Sequence, residues 1–344
     1  MSTPICDYEG SGYREEFWGQ GRQYEDAAER HAMRALVPAP AGSQGPATGG
    51  RLLEIGAGYG RLADLYAGYR EVYLLDYART QVEQAQEHLA PSAGRDRARR
   101  GLPGFTYVVG DIYGLPFVDG FFDTVVTVRV LHHIADVPAA LAQVARVLRG
   151  GGAYVLEYAN KLNLKARLRY ALGRQPSPYT PEPWEFVKLN YNFHPAYMER
   201  SLAAAGFAIG AQRSVSLFRV GLLKRLAPAG LLAGLDGLLQ APLAGSKPGP
   251  SVFLVATLQR AGAATGARQA AQGDSGPDLS TDAARVGAGW RCPTCRQALP
   301  GTVSQYQTLD CPTCGARWNA AGGIYDFKTP VSPGSGPSAE PSSQ

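Results

Sequence analysis

The sequence contains no long apolar run. None of its uncharged stretches reaches the roughly 18 apolar residues that a membrane-spanning helix needs, although 45% of the 344 residues are hydrophobic. The first ten residues, MSTPICDYEG, have no basic segment followed by an apolar one, which argues against a secretory signal peptide. A chain with only 18% charged residues is too apolar to be disordered throughout. We therefore expect a soluble, cytoplasmic protein of two or more domains.

Excess charge of one sign is also small. The 28 Arg and 6 Lys outnumber the 29 acidic residues only enough to give a net charge of +5. This balance is too mild to indicate a nucleic-acid-binding protein by itself, although it does not oppose an anionic ligand.

Cysteine is scarce and unevenly placed. The first 291 residues contain only Cys6, which excludes a disulfide framework spread through the chain. The motifs Cys292-Pro-Thr-Cys295 and Cys311-Pro-Thr-Cys314 are separated by 15 residues, a spacing typical of a tetrahedral zinc site. We predict that these four cysteines bind a structural Zn²⁺, which cannot activate water because four thiolates fill its coordination shell. A redox pair of Cys-x-x-Cys motifs is the alternative.

Short apolar segments alternate with helical ones from Arg51 to about Arg260. The predicted strands are RLLEIG, EVYLLDY, FTYVVGD, FDTVVTVRV and AYVLEYAN, and the predicted helices between them are RLADLYAGY, RTQVEQAQEHLA and DVPAALAQVARVLR. This alternation predicts an α/β domain whose parallel sheet is covered by helices on both faces. Its ligand should bind beyond the carboxyl ends of the strands.

Composition divides the chain into five parts. The predicted parts are an N-terminal helical cap (1–50), the α/β domain (51–260) with insertions at 161–205 and 221–250, a flexible linker (261–288), a zinc ribbon (289–328) and a disordered tail (329–344). The linker is predicted because it has no aromatic residue and almost no large apolar one, so it cannot bury a core.

A glycine-rich turn follows the first predicted strand, in Glu54-Ile55-Gly56-Ala57-Gly58-Tyr59-Gly60. Glycines there let the backbone approach a ligand at a helix N-terminus. A dinucleotide fingerprint expects its third glycine at the position of Arg61. Glu54 would repel a pyrophosphate but would attract a ligand that carries an ammonium and a sulfonium.

Two further carboxylates end the next two predicted strands. Asp76, 20 residues after Gly56, stands where such folds place a carboxylate on ribose hydroxyls. Asp111 is well placed to accept from an adenine amine. A strand-end Asp can equally cap the next helix or turn, but three acids at three successive strand ends, together with the glycine loop, favour a nucleoside-type ligand.

In these motifs the chain resembles the class I S-adenosylmethionine-dependent methyltransferases, over about residues 20–260 and closest to the ubiquinone/menaquinone branch. LEIGAGYGRL, LLDY, GDIYGLPF, FDTVVTVRVLHHI and LRGGGAYVLEYA are similar to successive family motifs, and Arg149 stands where the family usually has proline. The resemblance implies a Rossmann-like sheet of seven strands whose last two are antiparallel, and a methyltransferase that uses S-adenosylmethionine.

The resemblance also implies which residues hold the cofactor. They are Glu54, Gly56, Ala57, Gly58 and Gly60 for the methionine part, Asp76 and the adjacent Tyr77 for the ribose side, and Asp111 with Ile112 for the adenine. Arg22 and Tyr24 are candidate partners of the cofactor carboxylate, although an ordinary solvated helix start explains them equally well.

Methyl transfer from a sulfonium depends mainly on holding the two reacting atoms in line. A base is needed only when the acceptor loses a proton. His133, after the fourth predicted strand, is the candidate base, but a histidine in this turn can equally bond a backbone carbonyl. Arg129 is a candidate to steer an anionic acceptor.

The insertions and the ribbon bear on the acceptor. Residues 161–174 contain five basic and no acidic residues, which is typical of a solvated helix face or of contact with an anionic acceptor, an anionic membrane or RNA. The apolar segment 226–243 predicts a lid that could admit a lipid-like acceptor. The ribbon is similar to Trm112-like zinc ribbons, some of which are partners of methyltransferases that modify RNA or translation factors.

We therefore expect an S-adenosylmethionine-dependent methyltransferase of a small or lipophilic acceptor, such as a quinone or a lipid. One alternative is a tRNA or rRNA methyltransferase that docks RNA or a protein partner through the ribbon. The other is a module that binds the cofactor without catalysis.

Overall fold

The computed structural model describes residues 4–12, 18, 21–39, 49–90, 103–259, 289–301, 303–304 and 307–331. The predicted linker at 261–288 and residues 332–344 of the predicted tail lie outside the described residues.

A mixed sheet of ten strands forms the centre of the described chain. Its strands are β1 (Gly49–Ile55), β2 (Tyr69–Asp76), β3 (Gly104–Val109), β4 (Phe122–Thr127), β5 (Leu148–Ala159), β8 (Phe207–Val215), β9 (Ser251–Leu258), β10 (Thr308–Asp310), β11 (Arg317–Asn319) and β12 (Ile324–Asp326), while β6 (Trp184–Val187) and β7 (Asn190–Asn192) pair in a separate hairpin. The order across the sheet is β10-β11-β12-β3-β2-β1-β4-β5-β9-β8.

Seven of these strands form the predicted methyltransferase-type sheet. Strands β1 to β5 run parallel, and β9 is antiparallel to both β5 and β8. The predicted seven-stranded sheet with an antiparallel final pair is therefore confirmed. Strand β2 pairs with one edge of β1 and β4 pairs with the other, so the order of the strands reverses at β1. Open α/β sheets bind ligands at such a switch point.

Helices cover the sheet. They are α1 (Gln23–Leu36), α2 (Arg79–Leu89), α3 (Val137–Val147), α4 (Leu164–Ala171), α5 (Pro195–Ala204), α6 (Gly221–Leu226) and α7 (Ala229–Gln240). Among the described residues, no helix has both the length and the apolar content to cross a membrane. The helix predicted at RLADLYAGY is only a 3₁₀ turn, Ala63–Tyr66. Gly60 and Gly68 on either side have φ of 76° and 96°, a left-handed conformation that ends helices.

Two apolar cores lie on opposite faces of the sheet, as the sequence predicts for a sheet covered on both sides. One includes Phe122, Leu141 and Tyr154, and the other includes Met33 and Tyr66. These side chains are almost fully buried, so the two layers fix the strand ends that carry the site.

The cysteine ribbon extends the same sheet. Strand β12 pairs in parallel with β3, with Tyr325 opposite Val108, and Trp290 stacks on Phe117 at a ring-centroid distance of 5.3 Å. The edge of β3, which would otherwise expose unpaired backbone groups, is thereby covered. The sequence predicts the ribbon as a separate tethered domain, whereas the structure shows it sharing a sheet and an apolar core with the α/β domain.

Candidate functional site

A cavity lies at the switch point, beyond the carboxyl ends of β1, β2 and β4. Its lining includes seven of the residues proposed from the sequence, namely Gly56, Gly58, Asp76, Tyr77, Ile112, Arg129 and His133. Side chains that are distant in sequence therefore meet at one place, as the strand order requires.

In the glycine loop, backbone atoms without side chains line this cavity. Gly56 has φ of 72°, and a Cβ added to it would lie 2.2 Å from Val130 Cγ2. Gly58 has φ of 53° and donates its N–H to Asp76 Oδ2 at 2.9 Å. Only glycine adopts this left-handed backbone without strain, so the loop leaves space for a ligand against its backbone.

Asp76 joins the glycine loop to the start of α2. Its Oδ1 accepts from the Ala78 N–H at 3.0 Å, while Oδ2 accepts from Gly58. Burial raises the pKa of Asp76, and the donating amides of Ala78 and Gly58 oppose that rise. The carboxylate is thus fixed at the end of β2, beside Tyr77.

Glu54 is a buried carboxyl group beside the glycine loop. It is only 3% exposed, and burial raises its pKa to about 8 even though the Tyr66 hydroxyl and Arg61 act in the opposite direction. A small second cavity is lined by Glu54, Trp18 and the loop. A buried carboxylate of this kind is stabilised by a cationic ligand.

Gln81 is a site residue that the sequence reasoning missed. It lines the main cavity and is 2% exposed. Neither its Oε1 nor its Nε2 has a hydrogen-bond partner within the described part of the chain. An unpaired buried amide is unfavourable, so a ligand with polar groups is its natural partner. The available signal was an amide on the buried face of α2, beside Val82 and Ala85.

These observations fit S-adenosylmethionine. The loop offers backbone at close approach, Glu54 offers a carboxylate to an ammonium, and Gln81 offers both a donor and an acceptor. Asp76 stands at the end of β2, where ribose hydroxyls bind in such folds.

Four residues proposed for the cofactor, Arg22, Tyr24, Gly60 and Asp111, line neither of the two cavities. The hydroxyl of Tyr24 donates to Asp236, and both side chains are buried between α1 and α7. Arg22 is the residue before α1 and is likewise absent from the cavity lining. Asp111 accepts from the Tyr113 N–H at 2.8 Å and so caps its own turn, although its neighbour Ile112 faces the cavity. Local hydrogen bonding explains the Tyr24 and Asp111 positions.

His133 is held on both ring nitrogens. Its Nδ1 lies 2.9 Å from the Leu189 carbonyl oxygen, and its Nε2 lies 2.9 Å from the Tyr8 hydroxyl. A carbonyl can only accept, so Nδ1 carries the proton and Nε2 accepts from Tyr8. Burial lowers the pKa of His133. The neutral ring and Tyr8 both line the cavity.

Arg129 lies on the wall of the cavity in a left-handed conformation, with φ of 58°. Its Nε donates to Glu29 at 2.8 Å, and its backbone N–H donates to Glu157 at 3.1 Å. Both carboxyl groups are buried. Its guanidinium charge is therefore balanced by a carboxylate of α1.

The structure also contains a larger groove, lined by other residues. The α4–α7 groove has a volume of about 970 Å³, and its apolar lining includes Leu164, Leu168, Phe186, Leu217, Leu239 and Leu243. Ser216, also in the lining, is 1% exposed, has φ of 65°, and its Oγ has no hydrogen-bond partner in the described chain. The groove is thus mostly apolar, with an unpaired hydroxyl.

His132 lies next to His133, outside the lining of both the groove and the cavity. Its ring centroid lies 3.9 Å from that of His133. Burial lowers the pKa of His132, and so do the nearby charges of Arg129, on the cavity wall, and Arg219, on the groove wall. His132 therefore responds to one charged residue from each of the two spaces.

The four ribbon cysteines form a metal-binding arrangement. Their sulfur atoms all lie within 4.8 Å of one another. Cys292 Sγ is 3.7 Å from Cys314 Sγ, and Cys295 Sγ is 3.5 Å from Cys311 Sγ. Four sulfurs bound tetrahedrally at about 2.3 Å from zinc lie about 3.8 Å apart. The arrangement fits a single Zn²⁺ ion.

The comparison with known families agrees with this geometry. Residues 53–156, from β1 to β5, match the family described as a methyltransferase domain. The match covers 104 of the 344 residues. The matched segment carries the glycine loop, Asp76 and both histidines, on a fold confirmed as α/β.

Two curated relatives and one solved structure show the extent of the similarity. The 27-O-demethylrifamycin SV methyltransferase of Amycolatopsis mediterranei is 30% identical over 169 residues, which are 45% of this chain and 60% of that protein. The phthiotriol/phenolphthiotriol dimycocerosates methyltransferase of Mycobacterium leprae is 33% identical over 105 residues, 30% of this chain and 36% of that protein. The chain thus covers less than two thirds of either relative.

The solved structure is a complex between the Trm112 methyltransferase activator of Haloferax volcanii and a protein described as a methyltransferase. The match has 17% identity and a TM-score of 0.46, and it covers 72% of this chain and 97% of the matched chain.

Proposed function

We propose that the protein is an S-adenosylmethionine-dependent methyltransferase that acts on a lipophilic acceptor bound in the α4–α7 groove. The observation that carries this proposal is the presence of two separate spaces, a cavity at the switch point that presents Asp76 and Gln81 and a groove of about 970 Å³ whose surface is mostly apolar. A groove whose surface is mostly apolar suits a ligand that is mostly hydrocarbon.

The names of the two relatives support an acceptor of this class. They specify methyl transfer to a rifamycin precursor and to phthiotriol-type dimycocerosates, which are polyketide-like and lipid-like compounds. Because the chain covers only part of each relative, these acceptors indicate a chemical class and not the substrate itself.

The cofactor supplies an electrophilic methyl group when it is bound. In the proposed arrangement Glu54 pairs with its ammonium, the glycine loop holds the methionine part, and Asp76 and Gln81 bind polar groups of the nucleoside. These residues orient the donor, and the groove orients the acceptor, so that positioning accounts for most of the acceleration.

For an acceptor that loses a proton, Tyr8 and His133 form the proposed proton path. The Tyr8 hydroxyl already donates to His133 Nε2. A proton taken up by the Tyr8 oxygen would displace its own proton to Nε2, while Nδ1 stays bonded to Leu189. His133 is kept neutral by burial, which is the state that a base requires.

The ribbon has a structural role in this proposal. Trp290, Tyr325 and Phe327 pack against one another and against the sheet, so these rings do not offer a stacking surface to RNA bases. The bound Zn²⁺ that we propose would hold the two cysteine turns together.

The test uses labelled S-adenosylmethionine, the purified protein and a total lipid extract in dilute detergent, with a total RNA fraction in parallel. We expect label in the lipid fraction and none in RNA. Label confined to RNA would instead support an RNA acceptor, and absence of cofactor binding by calorimetry would contradict both.

Leu239→Arg, on the groove wall, separates acceptor binding from cofactor binding. It should abolish label transfer to lipid and leave cofactor affinity unchanged. Val303→Arg is the matched control, because Val303 is similarly exposed, at 41% against 38% for Leu239, but lies in the ribbon. Equal transfer by the two variants would exclude the groove.

A further inference from the structure

Exposed large apolar side chains are concentrated in one part of the sequence. Of the 17 such residues in the described chain, 15 lie between Leu164 and Leu239. Ten of them are leucines, and nine of these, all except Leu239 of the groove wall, are here called the leucine surface: Leu164, Leu168, Leu172, Leu222, Leu223, Leu226, Leu231, Leu235 and Leu238. Patches of exposed apolar residues on this scale mark interaction sites.

Eight of these leucines lie on three short helices that each leave one side uncovered, and Leu172 directly follows the first of them. In α7, Leu231, Leu235 and Leu238 are spaced at helical intervals opposite the buried Leu232 and Asp236. In α4, only Ala166 is buried, and α6 has no buried residue. Within the described residues, nothing covers these faces, so they can meet a partner.

Basic residues accompany the leucine surface. Residues 161–250 contain 12 Lys and Arg against 4 Asp and Glu, while the rest of the chain contains 22 and 25. This segment is thus strongly positive although the remainder is slightly negative. Lys165 and Arg169 lie one turn apart on α4 next to Leu164 and Leu168. The one acid of α6 and α7, Asp236, is fully buried.

We propose that the leucine surface docks on an anionic membrane surface, without crossing it. Helices that combine exposed leucines with Lys and Arg lie in the interface of anionic bilayers, where apolar burial and attraction to lipid headgroups add. A second copy of this chain fits the surface less well, because its own basic residues would face each other. The proposal stands independently of the proposed acceptor.

The position of the α4–α7 groove indicates how the protein would be oriented on the membrane. Leu164, Leu168 and Leu172 belong both to the leucine surface and to the lining of the α4–α7 groove. The mouth of the groove would therefore face the bilayer, and, on the proposed function, a lipophilic acceptor could enter without passing through water.

The experiment is flotation of the full-length protein with vesicles of phosphatidylcholine alone or with about 30% phosphatidylglycerol. We expect flotation only with the anionic vesicles and its loss at about 0.5 M salt, because screening shortens the range of the attraction. Failure to float with anionic vesicles overturns the proposal.

Variants outside the groove lining identify the surface. Leu226→Asp with Leu238→Asp, at residues 73% and 75% exposed, should reduce vesicle binding at least tenfold, and Arg225→Glu should reduce it about fivefold. Arg34→Glu and Val331→Asp, exposed elsewhere, serve as controls and should bind as wild type. Folding is checked by unchanged Tm and calorimetric cofactor affinity.

Two results would contradict docking by this surface. One is equal binding of the leucine variants and the wild type. The other is the absence of vesicle binding together with a stable dimer, seen by light scattering, that the leucine variants abolish. This result would assign the surface to a second copy of the chain. Loss of methyl transfer with intact flotation would count against the proposed function alone.

Discussion

Lys328 Nζ lies 3.9 Å from the centroid of the Tyr77 ring, so the end of the ribbon touches a residue that lines the cofactor cavity. The same ammonium bonds to Asp7 at 3.0 Å, and Asp326 pairs with Arg79 at the start of α2. The ribbon therefore contacts the end of β2, the N-terminal segment and the second helix together.

Lys328→Met is expected to weaken S-adenosylmethionine binding about threefold, because a cation over an aromatic ring contributes roughly 0.5–1 kcal/mol at an exposed site. Calorimetry measures the change. Lys188→Met, on an exposed turn, is the matched control and should bind as wild type. Equal affinities of the two variants would show that the ribbon does not support the cavity.

Metal analysis is expected to find about one zinc per chain, and Cys311→Ser should lower this value and the Tm. Its cofactor affinity should fall as well, since β12 and Lys328 depend on the ribbon. Cys6→Ser should retain the full zinc content because Cys6 lies far from the cluster in sequence and outside it. Undiminished zinc in Cys311→Ser would refute the site.

The pH dependence of cofactor binding should reveal Glu54. Because the pKa of Glu54 is about 8, most of its carboxyl group is protonated at pH 7 and must lose its proton to pair with an ammonium. The affinity of the wild type for the cofactor should therefore rise about tenfold from pH 7 to pH 9, relative to that of Glu54→Gln. Comparison with this variant cancels titration of the ligand. Parallel pH profiles for the two proteins would contradict the assignment.

In the ligand-free protein, a rise in pH is expected to lower the stability of the fold through Glu54. Its folded pKa exceeds its unfolded value of 4.5, so its stabilising contribution is complete below that value and is lost as the pH rises through about 8. The Tm of the wild type should therefore fall over this range relative to that of Glu54→Gln.

Gln81→Leu should weaken cofactor binding about tenfold, while the Tm of the ligand-free protein stays the same or rises. Binding weakens because the ligand loses a hydrogen-bonding partner. The Tm does not fall because the substitution removes an unpaired buried amide, which is unfavourable by about 1–3 kcal/mol. Glu87→Gln, exposed on the same helix, is the control. A lower Tm with unchanged affinity would mean that Gln81 serves only packing.

Gly56→Ala should abolish cofactor binding and lower stability, because its Cβ would meet Val130 Cγ2 at 2.2 Å and because a left-handed alanine costs about 1–2 kcal/mol. Adding Val130→Ala removes the clash but not the backbone strain. We expect this double variant to recover part of the Tm, measured by thermal unfolding. No recovery would show that the clash is unimportant.

The parallel strands and the glycine loop could be predicted because both depend on local patterns. Apolar strands alternate with helices, and the loop at Gly56 lies directly after a strand. The bond between Tyr24 and Asp236 spans 212 residues and leaves no pattern near either residue. The sequence therefore offered a cofactor contact and a solvated helix start equally for Tyr24, whereas the structure buries it between two helices.

The ribbon shows the same limit. Its cysteine spacing predicted the metal-binding arrangement, because two turns of identical sequence supply four sulfurs. The composition of residues 261–288 suggested independence, yet composition carries no information on where a strand will pair. The pairing of β12 with β3 became visible only in the structure, as did the role of Gln81, whose lack of partners depends on its surroundings.

The pairing of Tyr325 with Val108 joins residues 217 positions apart in the chain. Contacts of such sequence separation form late, since a long loop must close before they can stabilise anything. During synthesis the strands β1 to β9 leave the ribosome before β12, the strand that covers the outer edge of β3, has been made. The sheet edge is therefore completed last, and until the two cysteine turns have emerged the nascent protein presents an open strand to its neighbours.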